Sequence, residues 1–156
     1  MAYLDVITLA DAKNYLRIDD TLSDDDARIT SMIKASLSTI ERRTNTLVYA
    51  RSKNYLFQNY CVKVYDFPIN TLITPTDVEV VEMELYNNYT AKSSSDVRLN
   101  LNVGYSTPTD VPSEIVECAL EYVKYLYYDS ENNTGKSNSI PLYIEDTINR
   151  LKRFIL

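Results

Sequence analysis

Hydrophobic and polar positions divide the chain into helical stretches at either end and an alternating stretch between them. The most apolar helical stretch runs from Pro112 to Tyr128, PSEIVECALEYVKYLYY. Its charged residues Glu114, Glu117, Glu121 and Lys124 are spaced three, four and three apart, one narrow stripe on a 3.6-residue helix. The rest of its circumference, from Ile115 and Val116 to Leu126 and Tyr127, is apolar. Such a helix must be covered on several sides, by its own chain or by another subunit. Pro112 suits the first helical turn, and Asp110 just before it is placed to cap that turn. Two helices precede this strut. Thr8 and Asp11 form a capping box for Thr8 to Arg17, with Leu9, Ala12 and Leu16 on one face. After a turn at Asp19 to Thr21, Ser23 caps a second helix, with Asp24, Asp25 and Asp26 in its first turn and Arg42 and Arg43 at its end. Ile29, Met32, Ile33, Leu37 and Ile40 make its apolar stripe.

From Leu47 the period changes. Arg51 to Gln58 and Cys61 to Tyr65 read as strands, and Phe67-Pro68-Ile69 and Thr74-Pro75-Thr76 as connecting loops. Val78 to Tyr86 reads as a strand whose alternation slips by one at Val80–Val81, which predicts a β-bulge there. Asn87-Asn88 reads as a turn. Val97, Leu99, Leu101, Val103 and Tyr105 alternate without fault, the strongest strand signal in the chain. Beyond the central helix, Asp129 to Ser139 has no apolar residue and reads as a flexible loop. Ile144, Ile148, Leu151 and Ile155 then restore helical spacing.

These elements predict a mainly helical α+β fold: about four helices around the long central one, with a small antiparallel sheet inserted between the second helix and the central helix. The length of 156 residues fits one domain. Within it, 1–46 is the helical pair, 47–106 the β region, 107–129 the central helix, 130–139 the loop and 140–156 a C-terminal docking helix.

Composition narrows the function classes. The net charge is −6, which argues against a protein held to nucleic acid by phosphate contacts. No stretch reads as a signal peptide or a membrane span, and the chain fits a cytoplasmic origin. Cys118, inside the apolar helix, reads as a buried free thiol rather than half of a disulfide with Cys61. There is no histidine, which removes Ser–His and Cys–His catalysis and histidine metal sites. Gly104 and Gly135 do not build a phosphate-cradling loop. The aspartates of Asp19 to Asp26 lack the central glycine and closing glutamate of a calcium loop. No catalytic, cofactor or metal residue is therefore assigned. The 14 tyrosines suit either an interface-rich surface or plain compositional bias.

Three stretches, taken together, resemble the head–tail connector (adaptor) proteins of tailed bacteriophages. Ile7 to Thr44 is similar to the family's opening, a Leu-x-x-Ala-Lys-x-x-Leu-Arg-Ile helix, an acidic turn and a long helix ending in Ile-Glu; Leu9, Ala12, Lys13, Leu16, Arg17, Ile18, Ile40 and Glu41 hold those positions. Leu101 to Tyr128 is similar to its last strand, Gly-Tyr turn, Val-Pro and long helix. Ile140 to Phe154 is similar to its closing helix. The β middle, Leu47 to Asn100, matches only in kind, and the long polar loop before the last helix departs from the pattern.

The resemblance implies a non-enzymatic virion protein made in the bacterial cytoplasm, a ring of about a dozen copies in the phage neck with heterologous contacts between neighbours. It implies the portal and the next neck or tail protein as partners, DNA passing through without specific binding, and no membrane. Repeated around a ring, the negative charge gives a lumen that repels phosphate, with Asp24, Asp25, Asp26, Glu79, Glu82 and Glu84 as candidate lining. Ile144, Ile148, Leu151, Lys152, Arg153, Phe154 and Ile155 are the candidate portal-docking residues, against the alternative that this helix folds onto its own subunit's core. The other readings are a tail-completion or neck protein that contacts the tail only, and a small prophage-encoded regulatory binding module.

Overall fold

The computed structural model describes residues 2–56, 61–74, 78–82, 87–91, 98–129 and 140–152, with backbone alone at 61–63, 71–74, 78–82, 87–91, 98 and 129. Three helices, α1 (Tyr3–Val6), α2 (Leu9–Leu16) and α3 (Asp26–Thr44), lead into strands β1 (Arg51–Leu56), β2 (Cys61–Val64), β3 (Ile69–Thr74), β4 (Val78–Glu82), β5 (Asn87–Ala91) and β6 (Arg98–Val103). A 3-10 turn at Pro108–Asp110 then leads to α4 (Ser113–Asp129) and α5 (Leu142–Leu151). The mixed α+β fold with a long penultimate helix follows the hydrophobic pattern.

The helices share one core. Ile29, Ile33, Leu37 and Ile40 on α3 meet Ile115, Cys118, Ala119 and Val123 on α4, and all are buried. Ala12 and Leu16 on α2 close one side, and Ile144 and Ile148 on α5 close another. The Thr8–Asp11 capping box forms as expected, with Thr8 Oγ1 accepting from Asp11 N–H at 3.1 Å. α3 begins later than the sequence suggests. Ser23 lies before it, and Asp25 at the N-cap position makes no side-chain capping bond. The reason is that these aspartates are engaged elsewhere: Asp25 accepts from the Tyr127 hydroxyl at 2.6 Å, and Asp26 pairs with Lys13 at 2.5 Å. Asp110 likewise does not cap α4. Its carboxylate accepts from Thr107 N–H at 3.1 Å and closes the 3-10 turn instead.

Among the described residues the β region holds two three-stranded antiparallel sheets rather than one, in the orders β1-β6-β3 and β2-β5-β4. Leu99, Leu101 and Val103 of β6 are fully buried, as their alternation predicts, and join Leu47 and Val64 in a second small core. Three expectations change. Ile69 to Thr74 is a strand, although flanking prolines mark both its ends as loops. Val78 to Glu82 pairs residue for residue with Ala91 to Asn87, so no bulge falls at Val80–Val81. Asn87 and Asn88 are strand residues, since β5 lies between two partners whose ladders satisfy its backbone on both edges, and this outweighs a weak turn preference. Residues 83–86 and the expected loop at 130–139 lie outside the described residues.

Gly104, after β6, has φ +107°, and a Cβ there would stand 2.1 Å from the Tyr49 carbonyl oxygen. Its N–H donates to Pro68 O at 2.7 Å. This one residue lets the sheet hand the chain to the helical layer.

Candidate interaction surfaces

α4 and α5 pack at their buried faces and part at their outer edges, leaving a groove of about 450 Å³. Spacing builds it. Glu114, Glu117 and Glu121 fall at i, i+3 and i+7 on α4, and Tyr143, Thr147 and Arg150 at i, i+4 and i+7 on α5, so each set lies along one helix edge. Cys118, Ile144 and Leu151 form the apolar floor between them. Burial pushes the Cys118 thiol up to about 11, so it stays a neutral, inert thiol at neutral pH. It is free, as the apolar setting predicts.

The acidic edge is partly used. Glu121 accepts a short hydrogen bond from the Tyr15 hydroxyl of α2 and lies 3.7 Å from Lys124 Nζ. That ammonium also sits 5.8 Å from the centre of the Tyr15 ring. Burial, followed by the bond to Glu121, pushes the Tyr15 hydroxyl up to about 12. Glu114 and Glu117 are exposed and form no ion pair among the described residues. At the start of α5, Leu142 is 77% exposed and Tyr143 55%.

A second cluster joins the helices to the sheet. The Glu41 side chain is 5% exposed. It accepts from the Tyr3 hydroxyl at 2.6 Å, from Val48 N–H at 2.8 Å and from Arg51 at 3.0 Å. The Arg51 guanidinium lies 4.8 Å from the Tyr49 ring centre, and the Tyr3 and Tyr49 rings meet edge to face at 5.0 Å. Both carboxylate oxygens of Glu41 are engaged by its own chain, so this cluster holds the two layers in register rather than receiving a ligand.

The structure separates the expected docking residues. Ile144 and Ile148 are each 1% exposed inside their own subunit's core. As an outward docking face they are corrected: α5 is amphipathic, and its apolar stripe is already covered by α3 and α4. The ion pair from Arg43 to Glu145 at 3.3 Å fastens the same helix to α3. Leu151 is half-buried and Lys152 exposed, while Arg153, Phe154 and Ile155 lie outside the described residues. Of the candidate lumen residues, Asp25 and Asp26 carry the internal contacts already given, and Asp24 is exposed. Glu79 and Glu82 are on β4, side chains undescribed, and Glu84 lies outside the described residues. Sequence reasoning did not single out Tyr15, Tyr143 or Arg150. The signal for the last two was present, since seven residues separate them on an amphipathic helix. Among the described residues no three His, Cys, Asp or Glu side chains converge to hold a metal, and no helix is long and apolar enough to cross a membrane.

A family model described as phage gp6-like head-tail connector protein matches residues 6–152. Among solved structures, a chain from the neck of an empty GTA particle, computed with C6 symmetry, superposes with a TM-score of 0.75 at 14% identity, covering 100% of this chain and 94% of that one. A chain from the virion of a native gene transfer agent (GTA) particle gives 0.74 at 14% identity, covering 97% and 91%. A chain from the neck of a native GTA particle, computed with C12 symmetry, gives 0.73 at 13%, covering 100% and 94%. At these identities the likeness is one of fold. No curated protein sequence matches.

Proposed function

The chain belongs to the phage gp6-like head-tail connector family, a structural family rather than an enzymatic one, and on that premise we propose that it forms a closed ring in the neck of a tailed particle. In this reading about a dozen copies repeat one heterologous contact around the axis. The ring joins the portal to the tail or the next neck ring, and DNA passes through its lumen. The observation that carries the reading is the family match from residue 6 to 152, which spans every helix but the start of α1.

The physical chemistry supports it. A charge of −6 per copy, summed around a ring, lowers the local affinity for phosphate. Asp24 remains the described acidic group at the α3 start free to line that channel, with Glu79, Glu82 and Glu84 as further candidates. Buried Ile144 and Ile148 do not dock on the portal in this reading. The exposed surface of Tyr15, Leu142 and Tyr143, on α2 and α5, is instead the apolar ground for an intersubunit or portal contact.

Deleting the gene from a producing phage tests the role. The expected result is portal-bearing heads and free tails that fail to join. Normal tailed particles in its absence would overturn the reading.

A further inference from the structure

We propose that the α4–α5 groove receives the segment Lys152–Leu156, KRFIL, of a second copy of this chain. The proposal rests on the ring reading and gives the ring its repeating contact. Charge points to it first. Glu114 and Glu117 stand exposed on one lip without an ion pair among the described residues, and the segment opens with Lys152 and Arg153. Apolar matching points the same way. The floor carries Cys118 and Ile144, and the segment continues as Phe154-Ile155-Leu156. The volume of about 450 Å³ lies within the range of clefts that bury a small ligand, roughly 300–1,000 Å³, and so has room for a few side chains.

The donor is a second copy because of how α5 ends. Lys152 leaves the helix extended, at φ −69° and ψ 125°, without the left-handed residue that turns a chain back at a helix end. The four residues after it contain no glycine, asparagine, aspartate or proline to make a tight reversal. Such a run disfavours a tight return into the groove beside its own helix. A groove and a segment that each copy uses once as acceptor and once as donor form a heterologous pair, which makes a ring where the rotation between neighbours closes.

Zero-length carbodiimide coupling of the intact protein tests this, because it joins an amine only to a carboxylate already in contact. Equal amounts of unlabelled and nitrogen-15-labelled protein are mixed, coupled and digested. The expected product is Lys152 linked to Glu114 or Glu117, with mixed-isotope peptides as abundant as same-isotope ones. Same-isotope peptides alone mean that the segment occupies its own groove, and this overturns the proposal. So does Lys152 linked elsewhere, or not at all. A charge exchange gives a second reading. Glu117→Lys, at an exposed site, should weaken self-association about tenfold, and adding Arg153→Glu should restore it. No loss, or no restoration, counts against the pairing. The two readings fail separately. The Lys152–Glu117 link without the chain in particle necks sinks the neck role and leaves the exchange; the chain in necks without the link does the reverse.

Discussion

Lys13 and Glu41 are charged residues placed where water is almost absent. Lys13 is 3% exposed. Its ammonium donates to the carbonyls of Leu22 at 2.6 Å and Asp20 at 3.3 Å and pairs with Asp26. It thereby folds the acidic turn back over α2. Of the aspartates that invite a calcium reading, Asp26 thus gives its carboxylate and Asp20 its backbone carbonyl to a lysine. Glu41 does the same for the layer boundary, so Glu41→Ala should cost about 2–4 kcal/mol by orphaning Val48 N–H and Arg51. Thermal melting checks this, and a change under about 0.5 kcal/mol, the size of an ordinary surface substitution, would contradict it. Gly104→Ala should also destabilise, because the positive φ and the Tyr49 carbonyl both exclude a Cβ. Tyr15 adds a pH dependence. Its hydroxyl is raised from 10.0 to about 12 on folding, so the unfolded chain loses this proton first. Its contribution is therefore whole below pH 10 and lost as pH rises towards 12. Tyr15→Phe should flatten that alkaline slope in a stability–pH profile; an unchanged slope would show that the hydroxyl is not held by Glu121.

Among the elements, α5 carries the largest revision. Ile148→Ala should cost about 2–5 kcal/mol by opening a cavity against α3 and α4, and removing residues 140–156 should destabilise the whole fold. A truncated protein with an unchanged melting temperature would mean that α5 is a free arm after all. The sequence displays the stripe Ile144, Ile148 and Leu151 plainly, yet periodicity states only that a helix has an apolar face, not which surface covers it. That choice depends on where α3 and α4 leave a gap. α4 was legible for a related reason, since an apolar girth that wide has to be enclosed. β6 was legible because its alternation is faultless over five positions. β3 and β5 were not, because prolines beside one and paired asparagines in the other are local turn signals, and pairing between distant strands overrides them. The capping box of α2 is legible because both partners are three residues apart, whereas Asp25 answers to the distant Tyr127, and Asp110 closes the three-residue box of Thr107 before it rather than capping α4 after it. α1, at Tyr3–Val6, is one turn long and too short to show any period.

For the whole molecule, a subunit that buries its apolar stripes internally leaves its edges for the proposed ring contacts: the acidic groove, the segment after α5 and the exposed Tyr15–Leu142–Tyr143 surface. The same arrangement predicts weak DNA affinity. An isolated ring at physiological salt should bind duplex DNA no more tightly than nonspecific contacts of roughly 10⁻⁴ M, measured by fluorescence anisotropy; tight binding would contradict an acidic lumen. The most direct test of the central claim is an averaged electron cryomicroscopy reconstruction of the neck from particles that encode this chain. The account predicts a ring of about a dozen copies below the portal, each fitted by this fold with α4 and α5 at the junction between neighbours. A neck lacking this chain, or holding it as isolated copies without mutual contact, would contradict it.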